Sequence, residues 1–408
     1  MKRFLFSLTM GVTGLALTGS VFAQTHRNPY KYSAYGIHLQ QEQQEQHAAP
    51  GDVPLPPALY ADPADSAVVD RPVWHDPLPN AGIVGANLIH SNTANRTVGV
   101  RGLVFARDLE YARMLGTNAQ GDCLCTTDVK EDAAGGFETF LGVRKCNGLG
   151  WEAGYWGLFP GDASTRFGGP PLTTALGGLS QLDLGGQRAD VVFNGADYWE
   201  AGRFNEFHSL ELNLLRSAGT TRGFCGSCVS IEWLAGIRGF KFEEDFQYAS
   251  FTDGGTPRQA IYNVGADNQL LGFQLGARAN RYLGNTLSVS LGVKWGIYNN
   301  WIETNQNLAD GSGNPATINS GASAGADYNF AANKNDVATL GELDLGLNWD
   351  FTSCCRATVG YRAVGVTGIA LAPGQIPLNF SDVTEILDIN NSGDLMLHGA
   401  YFGIEYAF

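Results

Sequence analysis

The sequence predicts an all-β fold: a transmembrane antiparallel up-and-down β-barrel of about ten strands, with twelve as the alternative count. Three observations predict it. From about residue 98 onward, apolar and polar residues alternate with period two in runs of about ten residues or more, enough for a tilted strand to cross a bilayer. The connections between these runs alternate between short and long, as in outer-membrane barrels. The chain ends on Phe408 inside such a run, without a polar tail.

The first 23 residues have the layout of a secretory signal peptide. Lys2 and Arg3 form a positive start, an apolar stretch follows to about residue 17, and small residues lead to Ala23. The apolar stretch is too short for a spanning helix, so we expect cleavage after Ala23 and export. An uncleaved anchor is the alternative. No later apolar run approaches the ~20 residues of a membrane helix.

Residues 24–95 differ in composition from the rest of the chain. Residues 40–46 are all Gln or Glu, and eight of the 16 prolines lie between residues 50 and 79. Such a composition does not build a packed core, so we expect a disordered periplasmic extension ahead of a barrel domain over residues 96–408. Partner binding by this extension is the alternative.

Charge and composition limit the partners. The net charge of −14 argues against nucleic acid. With 53 Gly, 22 Phe, 15 Tyr and 8 Trp, the chain is rich in the residues of membrane barrels. The expected partners are outer-membrane lipid and the barrel-assembly machinery, and no cofactor is expected. The sequence does not give the oligomeric state.

The strands follow one another in a regular order. In residues 286–298, for example, Leu291, Val293 and Trp295 share one face, and Ser290, Gly292 and Lys294 share the other. Strands are predicted near 98–111, 136–145, 150–159, 207–217, 229–250, 258–282, 286–299, 336–351, 355–367 and 396–408. Short joins are predicted at 146–149, 283–285 and 352–354, and long ones at 112–135, 160–206, 300–335 and 368–395. An even strand count places both termini on the short-turn side, predicted to be the periplasm.

In the last predicted strand, the residues on the lipid-facing side continue to the C-terminal residue. Met396, Ala400, Phe402, Ile404, Tyr406 and Phe408 all fall on it. In addition, Tyr401, Gly403, Tyr406 and Phe408 have the spacing of the C-terminal signal that the barrel-assembly machinery recognises. We therefore expect the chain to end at the membrane edge.

The opposite parity predicts the residues that face the lumen. They are Glu138, Arg144, Glu211, Glu232, Arg238, Gln274, Arg278, Lys294, Glu342, Asp344, Arg356 and Arg362, with Asn213, Asn348 and Glu405 on the same faces. These side chains could form a constriction that selects ions by charge. The alternative is a plug of mutually paired charges, since a barrel of ten strands is closer to the filled eight-strand case than to an open porin.

Loose motifs recur in a specific order between residues 209 and 406. They read SLELNL (209–214), WLAGIR (233–238) followed by FEE (242–244), NQLLGFQLGA (268–277), GVKWGIYNN (292–300), ALAPGQ (370–375) and HGAYFGIEY (398–406). In these stretches the chain, over about residues 98–408, resembles a bacterial family of outer-membrane β-barrels described as pore-forming and known from planctomycetes and legionellae. The resemblance implies an outer-membrane barrel with pore activity, and it implies no catalytic residues.

Seven cysteines accompany the predicted export. Cys225 and Cys228 have CxxC spacing in a turn between strands, which favours a small structural disulfide over a redox or zinc site. If the topology is right, Cys146 would lie on the same side as Cys354 and Cys355 and could pair with either. An odd count leaves at least one thiol without an intramolecular partner.

Three further patterns suggest chemistry only weakly. Residues 321–325 match the G-x-S-x-G elbow, which requires a preceding strand and a following helix, but they lie in a polar loop. His208 and His398 lie near strands without an evident Ser–His–acid set. Residues 388–394 imitate half an EF-hand loop, although Gly399 stands where the bidentate Glu belongs, so an Asx-rich turn is favoured.

The sequence therefore predicts a bacterial outer-membrane barrel that is not an enzyme. The predicted function is a narrow, passive pore for ions or small solutes. The alternative is a non-conducting structural or surface-binding barrel that acts through its long extracellular loops. The sequence does not decide whether the lumen is open or plugged.

Overall fold

The computed structural model describes residues 95–109, 112–129, 133–145, 147–222, 228–252 and 259–408. The predicted signal peptide and the predicted extension, apart from Asn95, lie outside the described residues. Strand predominates in the described part, and no helix there is long and apolar enough to cross a membrane.

Ten long strands form the wall of the molecule. In chain order they are β1 (Asn95–Asp108), β2 (Ala134–Arg144), β3 (Leu149–Gly168), β4 (Tyr198–Arg222), β5 (Cys228–Phe251), β6 (Ala260–Tyr282), β7 (Leu287–Asp310), β8 (Asn329–Asp350), β9 (Cys355–Ile369) and β10 (Gly393–Ala407). Each strand pairs antiparallel with the next, and β1 pairs with β10 from Thr97 opposite Ala407 to Asp108 opposite Met396. The sheet is therefore a closed up-and-down barrel, and the predicted fold class and count of ten are confirmed.

The two ends of the barrel differ. At the short-turn end, β2–β3, β4–β5, β6–β7 and β8–β9 are joined by brief connections, and β1 begins and β10 ends there. At the opposite, long-loop end, longer connections join β1–β2, β3–β4, β7–β8 and β9–β10. This is the alternation that the sequence predicted.

Four strands are longer than predicted. β3 continues to Gly168, β4 begins at Tyr198, β7 ends at Asp310 and β8 begins at Asn329. The predicted loops 160–206 and 300–335 are therefore wrong in extent, because the connections shrink to residues 169–197 and 311–328. The cause is a reversal of the alternation: towards the long-loop end of β4, Trp199 and Ala201 are buried inward while Glu200 and Glu206 point outward.

A band of apolar side chains surrounds the outside of the barrel. Leu214 on β4, Phe273 on β6 and Phe402 on β10 are among its most exposed members, and the Phe273 side chain is 77% exposed. Trp233, Trp295 and other aromatic residues also lie on the outer face. Because large exposed apolar surfaces are unfavourable in water, this band is the lipid-contacting surface of a membrane barrel.

The long-loop end carries a compact domain, which we call the cap. It is built from the connections 112–129, 169–197, 311–328 and 370–392 together with the ends of the strands. It contains two small three-stranded sheets and the helices α1 (Ala189–Asn194) and α2 (Val383–Leu387). Leu115, Leu179, Phe193, Tyr262 and Phe380 are among its fully buried residues, so the cap has its own hydrophobic core.

Candidate functional site

The half of the lumen nearest the short-turn end is filled by a charged network of seven cations and eight carboxylates. Its cations are Arg101, Arg144, Arg238, Arg278, Lys294, Arg356 and Arg362, and its carboxylates are Glu138, Glu152, Glu211, Glu232, Glu342, Asp344, Asp350 and Glu405. All lie on the inward parity of their strands, which places them side by side across the lumen.

The innermost part of the network centres on two buried carboxylates. Glu342 contacts the Arg238 guanidinium at 2.8 Å and the Lys294 ammonium at 3.0 Å. Glu211 contacts the same two cations at 3.4 and 2.9 Å and accepts a hydrogen bond from Gln274. Arg238 is completely buried, so its charge is tolerated only because both carboxylates face it.

A second group lies nearer the mouth, where β2, β3, β5 and β6 meet the solvent. Arg144 contacts Glu232 at 2.7 Å and Glu152 at 3.6 Å. Arg278 contacts the same two carboxylates, at 3.5 and 3.0 Å. The four groups therefore form a closed ring of alternating charge.

The third group joins the two ends of the closed sheet. Arg101 on β1 contacts Glu138 on β2 at 3.1 Å and Glu405 on β10 at 2.9 Å. Arg362 contacts Glu138 at 3.2 Å and Asp344 at 2.9 Å. The β1–β10 seam is thus closed by ion pairs inside the lumen as well as by its backbone hydrogen bonds.

A cavity of about 650 Å³ remains between these side chains and opens at the short-turn end. We call it the vestibule. Arg144, Arg278, Arg356 and Asp350 line it, and Asn95, Lys145 and Cys354 lie at its rim. Its volume is within the range of about 300–1,000 Å³ found for small-molecule sites.

The structure brings all twelve sequence-predicted lumen residues into this half of the barrel. Ten of them line the vestibule, while Arg238 and Gln274 lie deeper and contact Glu211. Their role in conduction stays a prediction.

Sequence reasoning missed three participants of the network. Arg101 and Glu152 form ion pairs, and the Tyr401 hydroxyl donates a hydrogen bond to Asp344 at 2.6 Å. Strict parity counting on β1 and β3 could have found Arg101 and Glu152. Tyr401 was assigned only to the assembly signal, yet it is buried inside the lumen.

Above the charged network, an apolar layer crosses the lumen. Every one of the ten strands contributes at least one buried residue to it, including Phe105, Trp156, Phe240, Leu340 and Leu397. The Trp156 ring lies 6.1 Å from the Phe105 ring and 6.0 Å from the Phe240 ring, centroid to centroid. This layer lies between the charged network and the cap.

A buried ionic cluster follows at the base of the cap. Glu244 on β5 contacts Arg107 at 2.8 Å and Arg203 at 3.1 Å, and its other oxygen accepts a hydrogen bond from the backbone of Ala372 at 2.9 Å. The Arg203 guanidinium also donates to the carbonyls of Thr126 and Val129, both at 2.8 Å. One carboxylate therefore ties two cap connections to the barrel wall.

The connection between β9 and β10, residues 370–392, enters the barrel opening; we call it the plug segment. Just before it, β9 bulges at Gly368, whose φ of +79° and close approach to the Val337 carbonyl suit only glycine. Asn268 then makes two hydrogen bonds with the backbone of Ala370, both 2.8 Å long, and Gln306 donates to the Gln375 carbonyl at 2.7 Å. The plug segment thus covers the apolar layer.

The weaker sequence patterns form no catalytic arrangement among the described residues. Residues 321–325 form a turn, without the strand and helix that a nucleophile elbow requires. His208 lies on the outer face, bonded to Tyr155 at 2.8 Å and Glu206 at 2.7 Å, and His398 bonds to Tyr361 at 2.5 Å. No serine takes part in either set.

The loop at residues 388–394 and the cysteines were the remaining candidates for chemistry. Asn390 accepts two hydrogen bonds from Ser392, the Asx turn that was favoured over an EF-hand, and the described residues hold no group of three or more potential metal ligands. The sulfur atoms of Cys354 and Cys355 lie 3.9 Å apart. Cys146 and Cys225, and with them the predicted pairings, lie outside the described residues.

Burial governs the cysteine chemistry of the cap. Cys125 is fully buried, and burial, assisted by the nearby Asp128, raises the pKa of its thiol to about 12. Since the thiolate is the reactive form, Cys125 is inert at neutral pH.

The chain matches one protein family and is similar to several solved structures. The family described as "Putative beta barrel porin-7 (BBP7)" matches residues 112–408. A comparison with curated proteins found no match. Among solved structures, the chain is similar to the outer-membrane protease OmpT from Escherichia coli, with 10% identity, a TM-score of 0.39, and coverage of 77% of this chain and 96% of that one.

Two other solved structures are similar over a comparable length. One is a major outer membrane protein from Thermus thermophilus, at 14% identity and a TM-score of 0.30, covering 78% of this chain and 100% of that one. The other is the toluene transporter TodX from P. putida, at 9% identity and a TM-score of 0.21, covering 81% and 94%. At these values the likenesses carry no functional argument.

Proposed function

The chain belongs to the BBP7 family of outer-membrane β-barrels, and from that premise we propose that it is a non-conducting barrel in its resting state, which acts through its ordered cap. The observation that carries this proposal is the apolar layer, to which all ten strands contribute buried side chains. An ion crossing that layer would lose its hydration without gaining polar contacts, which is strongly unfavourable. This proposal favours the structural or surface-binding alternative of the sequence analysis.

The cap suits a role at the cell surface. It has its own core, in which Phe193, Trp199, Tyr248 and Tyr262 are fully buried, and the buried Glu244 cluster joins it to the barrel. A rigid cap of this kind presents a fixed surface for contact. We place the cap outside the cell and the short-turn end, with both ends of the barrel sheet, in the periplasm.

Lipid and the assembly machinery are the partners that this placement implies. The outward Tyr406 and Phe408 remain available on the outer face at the C-terminus, whereas Tyr401 points into the lumen. We propose no catalytic role for the chain. The proposed placement in the outer membrane requires export, for which the signal peptide over residues 1–23 is proposed.

A gated narrow pore is the second candidate, and one observation favours it. The vestibule already penetrates to the apolar layer from one side, and Asn268 and Gln306 hold the plug segment by hydrogen bonds to its backbone. Hydrogen bonds of this kind contribute only about 0.5–1.5 kcal/mol each. Movement of the plug segment would be the first step of opening, and passage would also require rearrangement of the apolar layer.

Single-channel recording in a planar bilayer tests both candidates. Folded protein, identified by heat-modifiable migration on a gel, should give no conductance steps. Discrete steps from the unmodified chain, with an ion selectivity that shifts in Arg278→Ala or Glu342→Ala, would overturn the non-conducting proposal.

The gated candidate is tested by a double variant, Asn268→Ala with Gln306→Ala, which removes the anchors of the plug segment. Steps that appear only in this variant would establish a gate. The matched control is Asn333→Ala, an exposed position on the outer face of β8. It should behave as the unmodified chain does.

A further inference from the structure

Two adjacent cysteines lie at the mouth of the vestibule. Cys354 ends the turn between β8 and β9, and Cys355 is the first residue of β9. Both line the vestibule, both are partly exposed, and both carry free thiols in the described part of the chain. Successive side chains of a strand point to opposite faces, but here the turn brings the two sulfur atoms to 3.9 Å from each other. The pair is therefore a dithiol that a small ion can reach from the solvent.

The hydroxyl group of Thr352 holds this arrangement in place. Its oxygen accepts hydrogen bonds from the backbone amides of Cys354 and Cys355, at 3.3 and 2.9 Å. The same oxygen lies 3.5 Å from the Cys354 sulfur. A hydroxyl has two lone pairs and one hydrogen, so with both lone pairs engaged the hydrogen is left to donate to the sulfur. Metal-binding side chains are commonly oriented by a neighbouring hydrogen bond of this kind.

A disulfide between the two cysteines is geometrically unfavourable. Disulfides join residues whose Cα atoms are about 4.4–6.8 Å apart. Cys354 and Cys355 are joined by a trans peptide, which sets consecutive Cα atoms about 3.8 Å apart. Strained disulfides are easily reduced. The pair therefore stays available as a dithiol even in a compartment where ordinary disulfides persist.

The type and the number of the ligands select the ion. Thiolate sulfur is a soft ligand that prefers ions such as Cu(I) and zinc. Structural zinc sites use four ligands, but the described residues hold no group of three or more His, Cys, Asp or Glu that could bind a metal. Two thiolates are enough for Cu(I). With metal–sulfur bonds close to the ~2.3 Å of zinc thiolates, sulfurs on opposite sides of one ion lie roughly 4.6 Å apart, so the 3.9 Å separation requires only a small side-chain rotation.

We propose that Cys354 and Cys355 bind one Cu(I) ion at the mouth of the vestibule as a two-coordinate dithiolate. Binding replaces two S–H bonds by two Cu–S bonds and releases two protons, and no electron is transferred. Thr352 is a positioning residue that orients the Cys354 sulfur. The site does not depend on whether the barrel conducts.

Alkylation protection in the full, folded chain tests this proposal. The protein is reduced, Cu(I) is supplied without oxygen at a free concentration fixed by a chelator, and the thiols are alkylated with iodoacetamide. Trypsin releases residues 335–356 as one peptide, which contains Cys354 and Cys355 and no other cysteine. Mass spectrometry of that peptide therefore measures this site alone. We expect Cu(I) to cause the loss of alkylation at both cysteines.

Three results would count against the site. Equal alkylation of the peptide with and without Cu(I) would overturn the proposal. Stronger protection by Zn²⁺ than by Cu(I) at the same free concentration would overturn the choice of ion. A disulfide found before reduction, either between Cys354 and Cys355 or from one of them to Cys146, would show that the pair is not a dithiol.

Cysteine variants test whether the two thiols act together. In Cys354→Ser, the remaining Cys355 should be alkylated at the same rate with and without Cu(I), because one thiolate does not hold the ion. The matched control, Cys225→Ser with Cys228→Ser, removes the other closely spaced pair of cysteines and should leave the protection of residues 335–356 unchanged. Persistent protection of Cys355 in Cys354→Ser would overturn the two-sulfur site.

Substitution of Thr352 tests the positioning role. Thr352→Ala should raise the free Cu(I) concentration needed for half-protection by about ten-fold or more, because a contact that orients a metal ligand contributes that much to affinity. Thr352→Ser retains the hydroxyl and should behave as the unmodified chain does. An unchanged Cu(I) requirement in Thr352→Ala would contradict the role of this hydroxyl.

Discussion

The two halves of the lumen use opposite chemistry on the same inward parity. Near the short-turn end, inward positions hold the charged network, for example Glu211 and Arg238. Towards the long-loop end, inward positions hold Phe207, Phe246 and Trp199, and the outer face becomes polar instead. The reversal follows the surroundings: where lipid is outside, the polar residues turn inward, and where water is outside, a conventional hydrophobic core forms inside.

The two halves of the lumen differ in burial and in access to solvent. The half nearest the long-loop end is closely packed with apolar side chains and contains the buried ionic cluster around Glu244. The half nearest the short-turn end contains the vestibule, which is open to solvent, so the ion pairs at its mouth are partly screened. Equivalent substitutions should therefore cost more above the vestibule than at its mouth.

The largest effect is expected in the apolar layer. Phe240→Ala should lower the free energy of unfolding by about 3–5 kcal/mol, because Phe240 is fully buried and a cavity would remain. Urea unfolding from lipid vesicles, followed by tryptophan fluorescence, measures it. Phe273→Ala on the outer face is the control and should cost less, since lipid chains can refill the volume. Equal costs would contradict a packed layer.

The buried ionic cluster should give the next largest effect. Glu244→Gln leaves Arg107 and Arg203 without their carboxylate and should cost about 3 kcal/mol. Because the Ala372 contact is also weakened, proteolysis within the plug segment should accelerate. Glu303→Gln, at an exposed position on the outer face of β7, should change neither measurement. An unaltered proteolysis rate in Glu244→Gln would show that the cap is held by other contacts.

Two arginines on β9 test whether the stability contribution of the charged network increases with burial. Arg362 is nearly buried and contacts three carboxylates, so Arg362→Gln should cost about 2 kcal/mol. Arg356, at the mouth, is partly exposed, and Arg356→Gln should cost about 0–1 kcal/mol. Thermal unfolding in detergent compares them directly. A larger cost at Arg356 would reverse the proposed gradient.

The smallest effect concerns the exposed hairpin of residues 310–314 in the cap. Hydrogen bonds from the side chain and backbone of Asn314 lower the pKa of Asp310 below its usual value. A lowered pKa means that the stabilisation is present at neutral pH and is lost as the pH falls through the lowered value, below about pH 4. Hydrogen exchange at Asn314 should then lose protection. In the Asp310→Asn variant, the exchange protection factor of the Asn314 amide should be lower than in the unmodified chain at neutral pH. It should not change further as the pH falls below about 4.

Much of the barrel could be predicted from the sequence because the physical signal is local. Period-two alternation in residues 286–298 follows directly from the pleat of a strand between two solvents. The strand extensions could not be predicted in the same way. Around Glu200 and Glu206 the polar residues face outward and the apolar residues face inward, the reverse of the pattern in the membrane-spanning part. A prediction that places apolar residues against lipid therefore assigns this stretch to a loop.

The candidate site was predicted only as a set of inward charges. Parity is enough to place Glu211, Lys294 and Glu342 in the lumen, and the structure pairs them within about 3 Å. The packing of the apolar layer depends on contacts between strands that are not neighbours in the wall, such as Trp156 on β3 and Phe240 on β5, which have β4 between them. No local pattern encodes these contacts.

Local patterns along the chain predict the antiparallel strands, their count of about ten, the lipid-facing parity and the alternation of short and long connections, because each depends on residues that are close in sequence. The apolar layer across the lumen, the cap and the entry of the plug segment into the barrel become evident only in the folded structure. The reason is that these features depend on side chains from all ten strands and several connections meeting in one volume, where burial and charge pairing are settled together.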